Sequence, residues 1–178
     1  MKYSAKDIVY QGKKFENASV ILEQKTIEEN QNNVNNRTLY FDKQSLNHNL
    51  EPAFSLFGFS LELYIKGIFY FIYKKPLHGH HLKELFDSLD YESKISVKDY
   101  FENNKEKYIK QHENIFIDNQ IEIISFEETL FELSDVFVKV RYMFENINLE
   151  KNLSLRELIR QGIVNRINEL NFLDYSLD

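Results

Sequence analysis

The stretch that most constrains this chain is Glu51 to Lys75, EPAFSLFGFSLELYIKGIFYFIYKK. Between Ala53 and Tyr73 it carries two formal charges, Glu62 and Lys66, among Phe, Leu, Ile and Tyr. Apolar residues on every side predict a helix buried all round, or one in lipid. The two charges stand four residues apart with the acid first, so on a helix they share a face and pair. A lipid span would place both near the bilayer centre, at about 2.5–3.5 kcal/mol each on insertion scales, and no second span follows. The stretch therefore reads as the core helix of a protein with no membrane partner, and its polar spot as the place to look for function.

A chain of 178 residues reads as one domain, 1–178, able to bury roughly two thirds of the surface its unfolded form exposes. It has no Cys, which excludes disulfides, thiolate zinc sites and cysteine nucleophiles. The opening MKYSAKDIVYQGKK lacks the apolar core of a signal peptide, so a cytoplasmic location is expected. A net charge of -6 argues against broad electrostatic attraction to nucleic acid or to an anionic membrane, although a local cleft can still be basic. Five Gly and two Pro leave few sites for the tight turns of a β-sandwich, and 15 Phe with 11 Tyr supply a core of large flat side chains. The expected fold class is all-α, an antiparallel helical bundle of four to six helices with two long buried helices and shorter flanking ones.

Taken in order, Ala5 to about Lys25 predicts a first helix, followed by a polar connection, TIEENQNNVNNRT, whose Asn residues compete for backbone hydrogen bonds. LYFDKQSLNHNL, Leu39–Leu50, is ambiguous. Pro52 suits a first helical turn, so the central helix is expected from Glu51 or Pro52 to about Lys75. Gly79 permits a sharp turn before a short helix with Leu82, Leu85, Phe86 and Leu89. Ser96 to about Asn114 predicts a half-exposed helix, and IFIDNQIEII a linker in preference to a strand. Ser125 with Glu128 has capping-box spacing and opens a second long helix to about Asn146; Ser154 with Glu157 repeats that spacing before the last helix.

Polar residues retained in the two long helices are the candidate site. Glu62 and Lys66 lie on the first, and Arg141 and Glu145, again four apart, on the second. If the helices face each other, all four form one alternating network, because buried charges need partners. The patterns SLELYIKGIFY, GHHLKELFDSL and FVKVRYMFEN resemble the HEPN superfamily of small prokaryotic helical-bundle proteins. The likeness rests on Ser60, Glu62, Lys66 and Gly67, and on His80 and Leu82, and spans roughly Ala53 to Asn146. It implies a homodimer acting on RNA in a toxin-antitoxin, stress or antiviral system, with an antitoxin as a further possible partner. It also implies a metal-independent endoribonuclease in which Arg holds the scissile phosphate and a His four to six residues on serves as acid or base. Arg141 stands at the Arg position. No His occurs after His112, and Glu145 and Asn146 occupy the place of the catalytic His. Glu62, Lys66, Arg141 and Glu145 are thus the catalytic candidates, with Tyr142, Asn146, His80 and His81 as ligand-binding candidates.

His78, His80 and His81 could gather imidazoles for zinc or nickel, but no Cys or paired acid completes a ligand set, and helix-start residues in a turn explain them better. One of them could instead fold back to replace the missing catalytic His. No phosphate-binding Gly-rich loop, HExxH, nucleophile elbow or calcium loop is present, so no cofactor is expected. Aromatic residues are interleaved with Lys in YFENNKEKYIK, but the segment Ser96–Asn114 around them carries as many acids as Lys, as a solvated face does. The rival functional reading is a non-catalytic protein-interaction or dimerisation module whose buried charges only fix helix register.

Overall fold

The computed structural model describes residues 3–31, 50–113, 122–140 and 155–174. The described elements are all helices: α1 (Ala5–Gln31), α2 (Leu50–Tyr73), α3 (Leu82–Asp87), α4 (Tyr91–Gln111), α5 (Phe126–Val140) and α6 (Arg156–Leu170). The all-α expectation holds. Among the described residues there is no strand; Glu122–Ile124, the described end of the expected linker, belongs to neither helix nor strand, and the rest of that linker lies outside the described residues.

The central element is α2. It packs against α1, α3, α5 and α6, most extensively against α1, while α4 packs chiefly on α6. Leu61, Tyr64, Ile65 and Ile68 are fully enclosed. By length and composition Pro52–Tyr73 could cross a membrane, yet 56% of its apolar window is buried inside the fold, which is the pattern of a core helix. Gly67 of α2 lies against Ala5 and Val9, Tyr64 against Gly12, and Phe59 against Phe15. Positions thus rise along α1 as they fall along α2, so these two helices run in opposite directions. Opposite order also relates α4 and α6, where Arg166 bonds Ser93 and Gly162 abuts Val97. Phe126 links α5 to α3 and α4, its ring centroid 5.2 Å from that of Phe86 and 5.5 Å from that of Phe101.

Several boundaries differ from expectation for local reasons. Helix α1 runs on through Thr26–Gln31, where a polar connection was expected. Thr26 is enclosed and its hydroxyl donates to the Leu22 carbonyl at 3.0 Å, the helical alternative open to a β-branched hydroxyl. Ser4 and Asp7 cap its start reciprocally: Ser4 N–H donates to Asp7 Oδ2 at 2.8 Å, and Asp7 N–H to Ser4 Oγ at 3.2 Å. Helix α4 starts at Tyr91, five residues before the expected Ser96, because Asp90 serves as N-cap and accepts from Ser93 N–H at 2.9 Å. The Ser125–Glu128 capping box is present, with Ser125 N–H donating at 2.8 Å and Glu128 N–H returning a bond at 3.2 Å. Ser154 of the second expected box lies outside the described residues. Leu155 is the N-cap of α6 without a side-chain bond, and the Glu157 carboxylate accepts from Arg160 and Gln161. Leu39–Asn49, most of the Asn-rich run and the continuation of the expected long helix beyond Val140 lie outside the described residues.

Two substitutions test this packing. Burial acts to raise the Asp90 carboxyl, but hydrogen bonds from Ser93 and the nearby Arg166 charge outweigh it and hold the group below the ordinary carboxylate range. A depressed carboxyl stabilises the fold above its unfolded pKa, and that contribution fades as pH falls through the folded value. Asp90→Ala should therefore cost about 0.5–2 kcal/mol at neutral pH, with the gap from wild type narrowing below about pH 4 in denaturant titrations; a gap that widens with acid would contradict it. In α6, a Cβ on Gly162 would lie 2.9 Å from the Val97 carbonyl of α4, a backbone atom that cannot turn aside. Gly162→Ala should lower stability by about 1–3 kcal/mol despite alanine's better helix propensity, read as a lowered melting temperature.

Candidate functional site: a buried carboxylate that gathers a lysine and a histidine

Glu62 is 4% exposed, and Lys66 is the only other formal charge between Ala53 and Tyr73 of α2. Its Oε1 accepts from Lys66 Nζ at 2.8 Å and meets His80 Nδ1 at 2.9 Å. An ionised carboxylate only accepts, so against one the ring donates through Nδ1, which leaves Nε2 as the nitrogen not engaged by Glu62. The three side chains differ in access: 5% exposed for Glu62, 17% for Lys66 and 62% for His80. The result is an imidazole oriented from below by a buried acid, with an ammonium beside it and one ring nitrogen left for solvent or a ligand.

The chain reaches this geometry through the end of α2. Lys74 takes the left-handed conformation (φ 53°), its N–H closing the last turn onto the Tyr70 carbonyl at 3.0 Å, and Pro76 cannot extend the helix. Glu62 lies eleven residues before Tyr73, about 16 Å back along the axis at 1.5 Å per residue. His80 follows Tyr73 by only seven residues, enough chain to cover that distance, so the connection runs back alongside α2 to bring its imidazole to Glu62. Gly79, at φ +97°, then turns the chain into α3, a conformation costly for a residue with a side chain. At the start of α3 the Lys83 N–H donates to Ser134 Oγ of α5 at 2.9 Å, which anchors the far end of the connection.

The expected site residues are distributed as follows. Glu62, Lys66 and His80 come together. His81 stands at the N-cap of α3 without a capping bond, its Nδ1 buried and without a hydrogen-bond partner among the described residues. Arg141, Tyr142, Glu145 and Asn146 lie outside the described residues, as does the four-charge network expected between the long helices. The partners of Glu62 come from its own helix and from the connection that follows it. Its second oxygen, Oε2, is buried without a hydrogen-bond partner among the described residues. No group of three or more His, Asp or Glu among the described residues could hold a metal ion.

A second polar cluster escaped sequence reasoning. Glu16 of α1, 7% exposed, receives the Tyr64 hydroxyl of α2, Arg160 Nη1 of α6 at 3.1 Å and Lys13 Nζ at 3.1 Å. Arg160 is held in turn by Glu157 at 2.8 and 3.0 Å through its Nε. Burial first, and then the Glu16 bond and charge, push the Tyr64 hydroxyl far above its ordinary range, so it is a fixed donor. For Arg160 burial opposes the charge, but Glu157 and Glu16 outweigh it and keep the guanidinium charged. Arg156 sits nearby with both Glu23 oxygens at 3.1 Å and its guanidinium 4.7 Å above the Phe54 ring. These groups satisfy one another, so the cluster is a joint between α1, α2 and α6. The available signal was Glu16 itself, spaced with Val9, Gly12 and Ser19 along the buried stripe of α1.

Compared with protein-family models, curated proteins and solved structures, the chain matches none.

The two clusters are separable by mutation. Tyr64→Phe removes one donor from the enclosed Glu16 carboxylate and should cost about 1–3 kcal/mol in chemical denaturation, while leaving the His80 site in place. Unchanged stability would show that the joint does not need the hydroxyl.

Proposed function

We propose that this chain is a HEPN-like RNA-acting protein whose chemistry is centred on Glu62, Lys66 and His80. The observation that carries the reading is the 2.9 Å contact between His80 Nδ1 and the buried Glu62 carboxylate, with the rest of the imidazole open to solvent. A histidine held in this way is built for proton transfer: the carboxylate sets its tautomer and stabilises the imidazolium once it forms. The reaction is metal-independent cleavage of RNA. Nε2 of His80 takes the proton of a ribose 2′-hydroxyl, whose oxygen bonds to the adjacent phosphorus as the bond from phosphorus to the 5′-oxygen breaks. The products are a 2′,3′-cyclic phosphate and a 5′-hydroxyl end, which receives a proton from His80 or water. Lys66, partly exposed beside Glu62, supplies positive charge toward the phosphate oxygens. In this reading the His that the resemblance places after Arg141 is supplied from the connection behind α2, and the protein works in the prokaryotic cytoplasm within a toxin-antitoxin, stress or antiviral system.

The second reading is a non-catalytic interaction or dimerisation module. It is favoured by the large apolar side chains that α1 and α5 present outward, Val20 at 45%, Ile21 at 63% and Phe131 at 53% exposure. Here Glu62 only ties the connection to α2. RNA cleavage by purified wild type, His80→Ala, Glu62→Gln and Lys66→Ala separates the two. The catalytic reading expects a loss of about 100-fold or more for His80→Ala and cyclic-phosphate ends on the product. Wild-type cleavage by His80→Ala, or none by wild type, would leave the interaction module. Arg141→Ala in the same assay reads the motif position independently.

A further inference from the structure

The strip of α2 that carries the site does not stop at it. Glu62, Lys66, Phe69 and Tyr73 follow one another at four, three and four residues, which on a helix keeps them on one face. At its far end the Phe69 and Tyr73 rings meet with centroids 4.5 Å apart, and the Lys75 ammonium lies 5.8 Å from each. Lys74 stands 4.5 Å over the Phe71 ring. Tyr73 is 41% exposed, and both lysines are exposed. Among the described residues neither ammonium is within reach of a carboxylate, whereas Lys66 is paired to Glu62, Lys83 to Asp87 and Lys6 to Asp174.

Local charge runs against that of the whole molecule. Residues 63–83 hold Lys66, Lys74, Lys75 and Lys83 with three His and no acid, in a chain of net charge -6. An exposed aromatic ring beside unpaired ammonium groups meets the two needs of single-stranded nucleic acid: a flat surface for a base, and cations for the phosphates on either side. On a chain of net charge -6, an oligonucleotide would be drawn to the two lysines that face no carboxylate among the described residues in preference to the acidic surface.

We propose that Tyr73, Lys74 and Lys75 form a binding platform for single-stranded RNA, with a base stacked on Tyr73 and neighbouring phosphates on the two lysines. The inference deepens the proposed function by assigning the substrate's flanking nucleotides to a place along α2 from His80. Binding and cleavage are separated by using a fluorescent 2′-O-methyl oligoadenylate of roughly 12 nucleotides, which lacks the 2′-hydroxyl nucleophile. Fluorescence anisotropy over a salt series on the full chain should show binding that weakens about five-fold or more in Tyr73→Ser and is restored in Tyr73→Phe. In Lys74→Ser/Lys75→Ser the salt dependence should flatten by about 0.7 in logarithmic slope for each phosphate that the missing ammonium groups no longer neutralise. Helical circular dichroism and melting of each variant confirm the fold, which Tyr73→Phe preserves in any case by keeping the ring. Absence of wild-type binding, or wild-type affinity in both folded variants, overturns the platform. Intact binding with no effect of His80→Ala on cleavage overturns the catalytic reading and leaves the platform standing.

Discussion

Polar groups on an apolar helix must each find a partner, within the helix or beyond it, and that requirement organises this molecule. Helix α2 contributes the largest part of the core, yet it carries a carboxylate, a phenol and a hydroxyl into that core. Ser60 resolves its demand within the helix, donating to the Phe57 carbonyl at 2.7 Å. Tyr64 cannot, and its hydroxyl fixes the position of Glu16 and hence the register of α1. Glu62 takes one partner from its own helix and the other from the connection behind it. Leaving any of these atoms unpaired in the interior would cost on the order of 1–3 kcal/mol, comparable to burying a whole Leu or Ile side chain.

The two polar clusters therefore sit on the same helix under opposite conditions. Glu16, Tyr64 and Arg160 are sealed between three helices, with donors and acceptors matched, and a sealed network of that kind specifies one arrangement of its helices. Glu62 is equally buried, but its imidazole partner reaches the surface and one of its own oxygens has no partner among the described residues. Chemistry needs this asymmetry: a fixed internal charge that orients an accessible group. Proximity in sequence hides the difference, because Glu62 and Tyr64 are two residues apart and point to different neighbours around the helix.

Much of the architecture is readable from residues, and the misses have particular causes. The apolar run of 53–73 and the Ser125–Glu128 spacing announce α2 and the start of α5, because burial periodicity and capping are local. Glu62 with Lys66 is readable for the same reason. Asp90 does not stand out as a cap because the residues after it, Tyr-Glu-Ser-Lys, lack an apolar stripe; the helix is held by Ser93, Val97 and Phe101, spaced over three turns. Thr26 looks like the opening of a polar loop, and only its burial gives its hydroxyl a helical acceptor. Glu157 also holds Arg160, three residues on, a charged partner that its spacing with Ser154 does not announce. His80 as the partner of Glu62 is beyond sequence reach, since only the path of the connection around Pro76 and Gly79 brings it there.

The bond between Arg160 and Glu16 joins positions 144 residues apart, which gives synthesis of this protein a definite order. As the chain leaves the ribosome, α1 and α2 emerge first and can pair as a hairpin, with Glu16 already facing Tyr64. Lys13 of the same helix already answers this carboxylate within the hairpin, and the second cation, the Arg160 guanidinium, is added only when the last helix docks. Helix α6 is in this sense the latch of the fold as well as one of its walls.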